Sequence, residues 1–346
     1  MKIGVLTAGG DCPGLNAVIG AVTRSAMEAD DEVIGIRRGY AGLANRDYME
    51  LDRNSVSGLL RSGGTILGTS SFEPHREQAV EKIMDSIAEA GMDAVIAIGG
   101  EHTMGMTGRL HAEEGAPVIG VPKTIDNDIS GTDYTFGFDT AVQTATDAID
   151  RLQSTAQSHD RVMVVEVMGR NAGWIAVHSA IAGGADAVVI PEFATTVEEL
   201  AEGVAIRHQN GKNFSIIVVA EGASLVFEGG SEQLVQPVEA ADPYGYPRLG
   251  GIGAVLAREL EARTGFEVRV AVLGHIQRGG TPTATDRLLA TRFGVRALDM
   301  AKASEFGRMV AWRGNELTSV PLEEAAAVKS VDEATLELAR RCFAAR

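Results

Sequence analysis

The stretch KIGVLTAGGDCPGLNAVIGAVTRSAMEA, Lys2–Ala29, passes from a short apolar run, Ile3 to Leu6, through Gly9, Gly10 and Gly14 into a segment of helical spacing from Leu15 to Ala29. Strand, glycine turn and helix in direct succession open a βα unit. The same pattern recurs outward along the chain. Further Val- and Ile-rich runs lie at Ala94 to Ile98, Val118 to Val121, Val162 to Val165, Ala187 to Ile190, Ile216 to Ala220 and Val268 to Leu273. Their length and unbroken apolar character predict strands buried on both faces. Between them, Val197, Leu200 and Val204, and again Ile252, Val255, Leu256 and Leu260, keep the three-to-four-residue spacing of a helix face. The alternation predicts an α/β fold of mostly parallel sheets covered by helices on both faces.

With 346 residues, 45% of them hydrophobic, the chain is long enough for two such domains. Asp139 to His159 reads as a long helix bridging into the second. Gly222 to Leu249, rich in glycine, proline and acid, reads as an insertion, either a solvated loop or a lid. A formal charge of −16 opposes nucleic acid and anionic membranes, while leaving room for a cleft in which a few arginines reverse the local field. Cys12 and Cys342 stand at opposite ends of the sequence, which offers no disulfide framework and no paired metal-ligand spacing. The N-terminus runs directly into the first strand without the pattern of a signal peptide, and no stretch reaches the roughly 18 apolar residues of a membrane span. The expectation is a cytoplasmic protein.

Open parallel sheets bind ligands at the carboxyl ends of their strands, so the residues after each run carry the chemistry. Gly9, Gly10 and Gly14 form one candidate phosphate cradle, with a plain tight turn as the alternative. Their spacing is not that of a dinucleotide fingerprint. GGEHT, Gly99–Thr103, is a second: the glycines admit phosphate, Glu101 is a suitable oxygen ligand for Mg²⁺, and Thr103 is a hydrogen-bond donor or simply a cap. PKTIDND, Pro122–Asp128, is the most telling. Phosphoryl transfer to an alcohol needs one carboxylate to take the hydroxyl proton and another to hold a metal, and Asp126 and Asp128 supply the pair. Lys123 and Thr124 add charge and a hydrogen bond for the transferring group. Arg161, Arg170, Arg269 and Arg278, with His275, are candidates for gripping a substrate phosphate, since guanidinium matches phosphate geometry.

Taken in order, GGDCPGLNA, GGTILG, GGEHT, PKTIDND, EVMGR and GHIQRGGTP resemble the phosphofructokinase family across nearly the whole chain. The resemblance implies two Rossmann-like three-layer αβα domains: residues 1–137 plus about 277–327 for phosphoryl donor and magnesium, and about 138–276 plus 328–346 for sugar phosphate. It implies transfer from ATP or pyrophosphate to the 1-hydroxyl of fructose 6-phosphate, with Mg²⁺, in a homotetramer or homodimer with shared active sites. By motif position Asp126 is similar to the family's base, with Thr124 and Lys123 in the catalytic set. Glu101 matches the magnesium carboxylate, supported by Asp128, which also faces substrate. Gly10, Ser71, Phe72, Arg76, Gly100, His102 and Thr103 match the donor side. Met168, Gly169, Arg170, Glu221, His275 and Arg278 match the sugar-phosphate pocket, and Arg161 and Arg269 match arginines that reach it from a neighbouring subunit.

The chain departs from the family pattern in three places. His102 stands where ATP-using members commonly carry glycine and many pyrophosphate-using members carry aspartate. Histidine lacks the negative charge that would mimic an α-phosphate, which favours ATP, with pyrophosphate as the alternative. Ser71 replaces a customary arginine, and Arg76, which matches another nucleotide-side arginine of the family, is the candidate to compensate. At the positions of the family's allosteric pocket the chain keeps Arg24, Arg53 and Lys212 but carries Gly20, Gln153 and Asn210, so half the expected positive charge is missing. A phosphotransferase for another sugar phosphate, and a weakly active sugar-phosphate-binding protein, are the remaining readings.

Overall fold

The computed structural model describes residues 1–227, 231–234 and 250–343, and it divides into two compact units. One comprises Met1–Thr140 with Arg278–Val328, the other Ala141–Gln277 with Lys329–Arg346. The chain begins with β1 (Lys2–Thr7), α1 (Leu15–Glu28), β2 (Glu32–Ile36), α2 (Gly39–Ala44), β3 (Tyr48–Glu50), α3 (Val80–Glu89), β4 (Ala94–Gly99), α4 (Glu101–Glu114), β5 (Val118–Thr124) and β6 (Phe136–Gly137). Helix α5 (Phe138–His159) starts in this first unit and ends in the second. There follow β7 (Val162–Val167), α6 (Trp174–Ala182), β8 (Ala187–Val189), β9 (Thr195–Thr196), α7 (Val197–Gln209), β10 (Ser215–Ala220), β11 (Ser224–Phe227), β12 (Ser231–Leu234), α8 (Ile252–Thr264) and β13 (Val268–Val272). The first unit is then completed by α9 (Ala284–Lys302), β14 (Arg308–Arg313), β15 (Glu316–Pro321) and α10 (Leu322–Ala325), and α11 (Glu333–Phe343) closes the second.

The sheet of the first unit has the order β15-β14-β5-β4-β1-β2-β3, with β6 added to β5. Strands β2, β1, β4, β5 and β14 are mutually parallel, and β3 and β15 are antiparallel edges. The chain moves from β1 to β2 on one side, then returns to place β4 on the other. That reversal opens a crevice at the carboxyl ends of β1 and β4, where open α/β sheets take ligands. Every residue of β4 is buried, and alternate side chains serve opposite faces. Val95 and Ala97 join a core with Met104 and Leu110 of α4 and Leu322 of α10, whereas Ile96 and Ile98 are buried outside that cluster. Helices α1 and α9 pack together on their own account. Truncating a buried residue such as Ile96 to alanine would cost ~2–5 kcal/mol.

The second unit repeats the plan with a parallel sheet, β13-β7-β10-β8. Val162, Val164, Ile217 and Val219 share a core with α7 and α8 through Val204, Leu256 and Leu260. Two boundaries differ from the sequence reading. Strand β5 continues past Pro122 to Thr124, because β6 extends the ladder by pairing Phe136 with Lys123 and Gly137 with Thr124. Part of the expected insertion is ordered as β11 and β12, paired antiparallel, with β9 parallel to β11. The rest of that stretch, 228–230 and 235–249, lies outside the described residues. Among the described residues, no helix is long and apolar enough to cross a membrane.

Candidate active site

Register alone brings three of the sequence motifs to one edge. Thr7 pairs with Ile98 and Gly99 with Pro122, so the turns after β1, β4 and β5 emerge side by side. At the first turn Gly9 has φ 78°, a left-handed conformation that glycine adopts without strain. A Cβ on Gly10 would overlap the Arg278 guanidinium, and Lys123 Nζ donates to the Gly10 carbonyl. Two cations therefore lie against the glycine turn. Lys123 is only 5% exposed, and burial foremost, then Arg278, pulls its ammonium below the usual range, while Cys12, Glu101 and Asp11 oppose the change.

The loop that carries Ser71 and Phe72 crosses the same edge. Asn16, in the first turn of α1, donates to the carbonyls of Ser62 and Gly63 at 3.2 Å and accepts from Ile66 N at 2.9 Å. Thr7 Oγ1 donates to Gly68 O at 2.7 Å, and Gly9 N donates to Ser70 O at 3.1 Å. Phe72 packs on the first unit's hydrophobic core, and the half-exposed Arg76 has Glu77 3.5 Å away. At the second turn, Gly100 precedes α4, and Thr103 is 2% exposed and lies against Gly99, where a Cβ would overlap it. That packing gives Thr103 a structural job at the turn. His102 Nδ1 lies 3.0 Å from Glu101 Oε1.

The decisive feature is the meeting of acids. Asn127 has φ 53° and is buried, its Oδ1 accepting from Thr135 N at 3.0 Å. This left-handed corner, which asparagine tolerates better than most residues, separates Asp126 from Asp128. Asp126 N donates to Thr124 Oγ1 at 3.0 Å. Asp128 is 2% exposed, and burial, then the negative charges of Asp126 and Glu101, hold its carboxyl well above the usual range. Asp128 Oδ1 is buried and accepts no hydrogen bond. For Glu101, burial raises the pKa but the His102 contact, its own backbone N–H and Lys123 outweigh it, and the carboxyl stays ionised more readily than usual. Mutually repelling, desolvated carboxylates call for a cation or a proton.

Among the described residues, no group of three His, Cys, Asp or Glu side chains is arranged to hold a metal unaided. Mg²⁺ binds through one or two carboxylates together with water and substrate phosphate, and Glu101 with the unpartnered Asp128 Oδ1 fits that demand.

In the second unit, Met168, Gly169 and Arg170 follow β7, Glu221 follows β10, and Gly274 and His275 follow β13, again at carboxyl ends. Glu221 N donates to Val167 O at 2.9 Å and Leu273 N to Glu166 O at 2.9 Å, which laces these turns together. Within the second unit, two of the candidate arginines stand away from these turns. Arg161 precedes β7 and Arg269 is the second residue of β13, at the opposite end of the sheet from Met168 and His275. The six residues of β7 between Arg161 and Met168 set them about 23 Å apart. Arg161 Nε lies 2.8 Å from Glu267 Oε2, and Arg269 pairs with the other oxygen of the same carboxylate. Arg278 belongs to the first unit, on Gly10. The strand-end clustering expected of all four fails because Arg161 and Arg269 stand where strands begin.

Several functional supports escaped the sequence reading. Asn16 and Glu267 have partners far off in sequence, at residues 62–66 and at Arg161, and Asn127 bonds to Asp133 and Thr135 across its own loop. Gln277 is wholly buried, and its Oε1 accepts from Met168 N at 2.8 Å, fixing the turn after β7. Only Asn127 carried a local signal, an asparagine between two acids just past a strand.

A parallel α/β sheet with glycine turns, paired cations and converging carboxylates at its switch point is the framework of a phosphotransferase. The chain belongs to the phosphofructokinase family, whose model matches residues 2–301. It is 52% identical over 340 residues to the pyrophosphate–fructose 6-phosphate 1-phosphotransferase of Streptomyces coelicolor, covering 97% of this chain and 98% of that one. It is 51% identical over 342 residues to ATP-dependent 6-phosphofructokinase 3 of the same organism, covering 96% and 97%. Among solved structures, Pichia pastoris phosphofructokinase in the T-state matches at a TM-score of 0.81 and 30% identity, covering 99% of this chain, which spans only 36% of that longer one. The fold also matches a pyrophosphate-dependent phosphofructokinase from Nitrosospira multiformis, at a TM-score of 0.83 and 20% identity over 99% of this chain and 91% of that one.

Proposed function

We propose that the protein is a cytoplasmic, magnesium-dependent 6-phosphofructokinase that transfers a phosphoryl group from ATP to the 1-hydroxyl of fructose 6-phosphate. The observation that carries this reading is the convergence of Glu101, Asp126 and Asp128 beside the glycine turns of β1 and β4. Asp126 accepts the hydroxyl proton as the sugar oxygen forms its bond to phosphorus and the bond to the leaving diphosphate breaks. Lys123, Thr124 and Arg278 meet the charge that builds on the transferring group. Glu101 and Asp128 would hold Mg²⁺, which when bound neutralises the donor phosphates. Donor and metal are assigned to the first unit and sugar phosphate to the second, where Met168, Gly169, Arg170, Glu221 and His275 form the pocket. Arg161 and Arg269, at the far end of that sheet, serve the pocket of a neighbouring subunit in a homo-oligomer.

The donor rests on His102. Its ring is engaged with Glu101 and brings no negative charge to the place of an α-phosphate, which supports ATP. Pyrophosphate is the second reading, favoured by the near-equal similarity to relatives named for either donor. Rates measured side by side with the two donors, fructose 6-phosphate and Mg²⁺ decide between them. No turnover with either would defeat the assignment altogether.

A further inference from the structure

We propose that His75 is a positioning residue that ties the donor-side loop to the far end of α4, with Glu113 as its anchor; this rests on the reading of Ser71, Phe72 and Arg76 as donor-side residues. The His75 side chain is 11% exposed, with Nδ1 3.3 Å from Glu73 Oε1 and Nε2 3.3 Å from Glu113 Oε2. Glu73 is itself committed to the loop backbone, its carboxylate accepting from His75 N at 3.2 Å and from Arg76 N. Burial raises the Glu73 pKa, but these bonds and that with the His75 ring bring it below the usual value, so the anionic partner is present. Glu113, in the last turn of α4, is braced by Arg109 Nε at 2.7 Å.

The consequence follows from chain length. Ser70 is fixed on the Gly9 turn, where its carbonyl accepts from Gly9 N at 3.1 Å. From Ser70 to His75 the backbone spans at most about 18 Å. Helix α4, of 14 residues, is about 20 Å long, begins with the Glu101–Thr103 cradle and ends beside Glu113. The residues that meet the donor are therefore strung between two fixed points, one at the phosphate cradle and one at the opposite end of a rigid helix. Phe72, packed on the core between them, and Arg76, next to the latch, inherit their positions from it. Releasing His75 adds slack that donor binding must remove again, and this weakens donor binding without touching the reacting atoms.

The test uses full-length enzyme carrying His75→Ala, Glu113→Ala, both, or His75→Gln. Donor KM, sugar-phosphate KM and kcat are measured separately with ATP or pyrophosphate, whichever supports turnover. Each alanine variant is expected to raise donor KM about fivefold, the upper end for a partly exposed polar pair. Values for kcat and sugar-phosphate KM should stay within about twofold. The double variant should be no worse than either single one, and His75→Gln should recover part of the loss. Unchanged donor KM in Glu113→Ala, additive losses, or a fall in kcat alone would overturn the latch. Glu113 lies on the surface, so its variant decides the matter even if His75→Ala misfolds. Hydrogen exchange over residues 71–77 reads the latch without catalysis: faster exchange in both variants is expected, and unchanged exchange refutes it. Absence of turnover with either donor strikes the functional reading, and exchange still judges the latch.

Discussion

Gly10 leaves room for Arg278: the guanidinium lies against the glycine backbone, in the space a side chain at residue 10 would fill. The contact joins the first strand-end turn to a residue more than 260 positions later in the chain. Gly10→Ala should push the flexible end of Arg278 aside without unfolding the turn, because Gly10 does not have the positive φ of its neighbour Gly9. Losing one charge-assisted hydrogen bond to substrate is worth ~1.5–3 kcal/mol, so kcat/KM should fall by about tenfold or more. Steady-state kinetics beside a thermal melt check this, and wild-type kinetics would show that Arg278 has no part in the reaction.

Asp126→Ala removes the group assigned to take the hydroxyl proton. A positioned base contributes about 10²–10⁴ in rate, so turnover should fall at least a hundredfold. Fructose 6-phosphate binding, measured by calorimetry, should persist, because the residues proposed to grip its phosphate do not include Asp126. Retained turnover would move the base to another residue.

How much of this was legible in the sequence differs between the elements. Most of the buried parallel strands announced themselves, because burial on both faces demands unbroken Val and Ile, as in AVIAI of β4; β2 did not, since Gly35 interrupts its short EVIGI run. The hairpin of β14 and β15 did not. RMVAWR holds only four apolar residues between two arginines and ELTSVP is largely polar, and the turn residues Gly314 and Asn315, both at positive φ, were the hairpin's clearest local mark. At the site, the acids and glycines were legible because strand-end chemistry has a narrow choice of residues. The ends to which Arg161 and Arg269 belong were not, since an arginine reads the same before a strand as after it.

His102 is expected to act through Glu101. Groups that orient a metal ligand typically affect metal affinity by 10–100-fold. Replacing His102 with glycine frees the carboxylate from its 3.0 Å contact, so the Mg²⁺ concentration giving half-maximal rate should rise about tenfold. A magnesium titration identical to that of the wild type would show that the contact is incidental.

Asp286 sets a pH dependence of stability. It sits in the first turn of α9, where Oδ2 accepts from Thr140 N at 2.8 Å, and burial pushes its carboxyl from 3.8 up to about 6 despite those bonds. A raised carboxyl pKa means that the fold prefers the protonated form. The stabilisation is complete below pH 3.8 and is lost as pH climbs through about 6. At ~1.4 kcal/mol per pH unit across that interval, the ionised state costs on the order of 3 kcal/mol. Asp286→Asn should therefore flatten the decline in melting temperature between pH 4 and pH 7, a span set by those two values. Parallel melting curves for variant and wild type across the range would refute it.

The last prediction comes from the length of a strand. Arg161 and Arg269 lie at the start of the second unit's sheet and Met168 and His275 at its finish, with Arg161 and Met168 about 23 Å apart across the six residues of β7. An arginine side chain reaches less than half that distance, so one protomer's Arg161 cannot grip a phosphate held at that protomer's own Met168 turn. If Arg161 serves a neighbour, Arg161→Ala and Asp126→Ala are each inactive for reasons that reside in different chains. Mixed and reassembled, the two variants should regain activity, because some hybrid sites then combine an intact Asp126 from one chain with an intact Arg161 from another. With random pairing in a dimer-based site, about a quarter of the sites are intact. Rate should rise accordingly with mixing ratio and peak near equal amounts. Silence at every ratio, or full activity of Arg161→Ala alone, would confine each active site to a single chain and leave the pairing with Glu267 a purely structural contact.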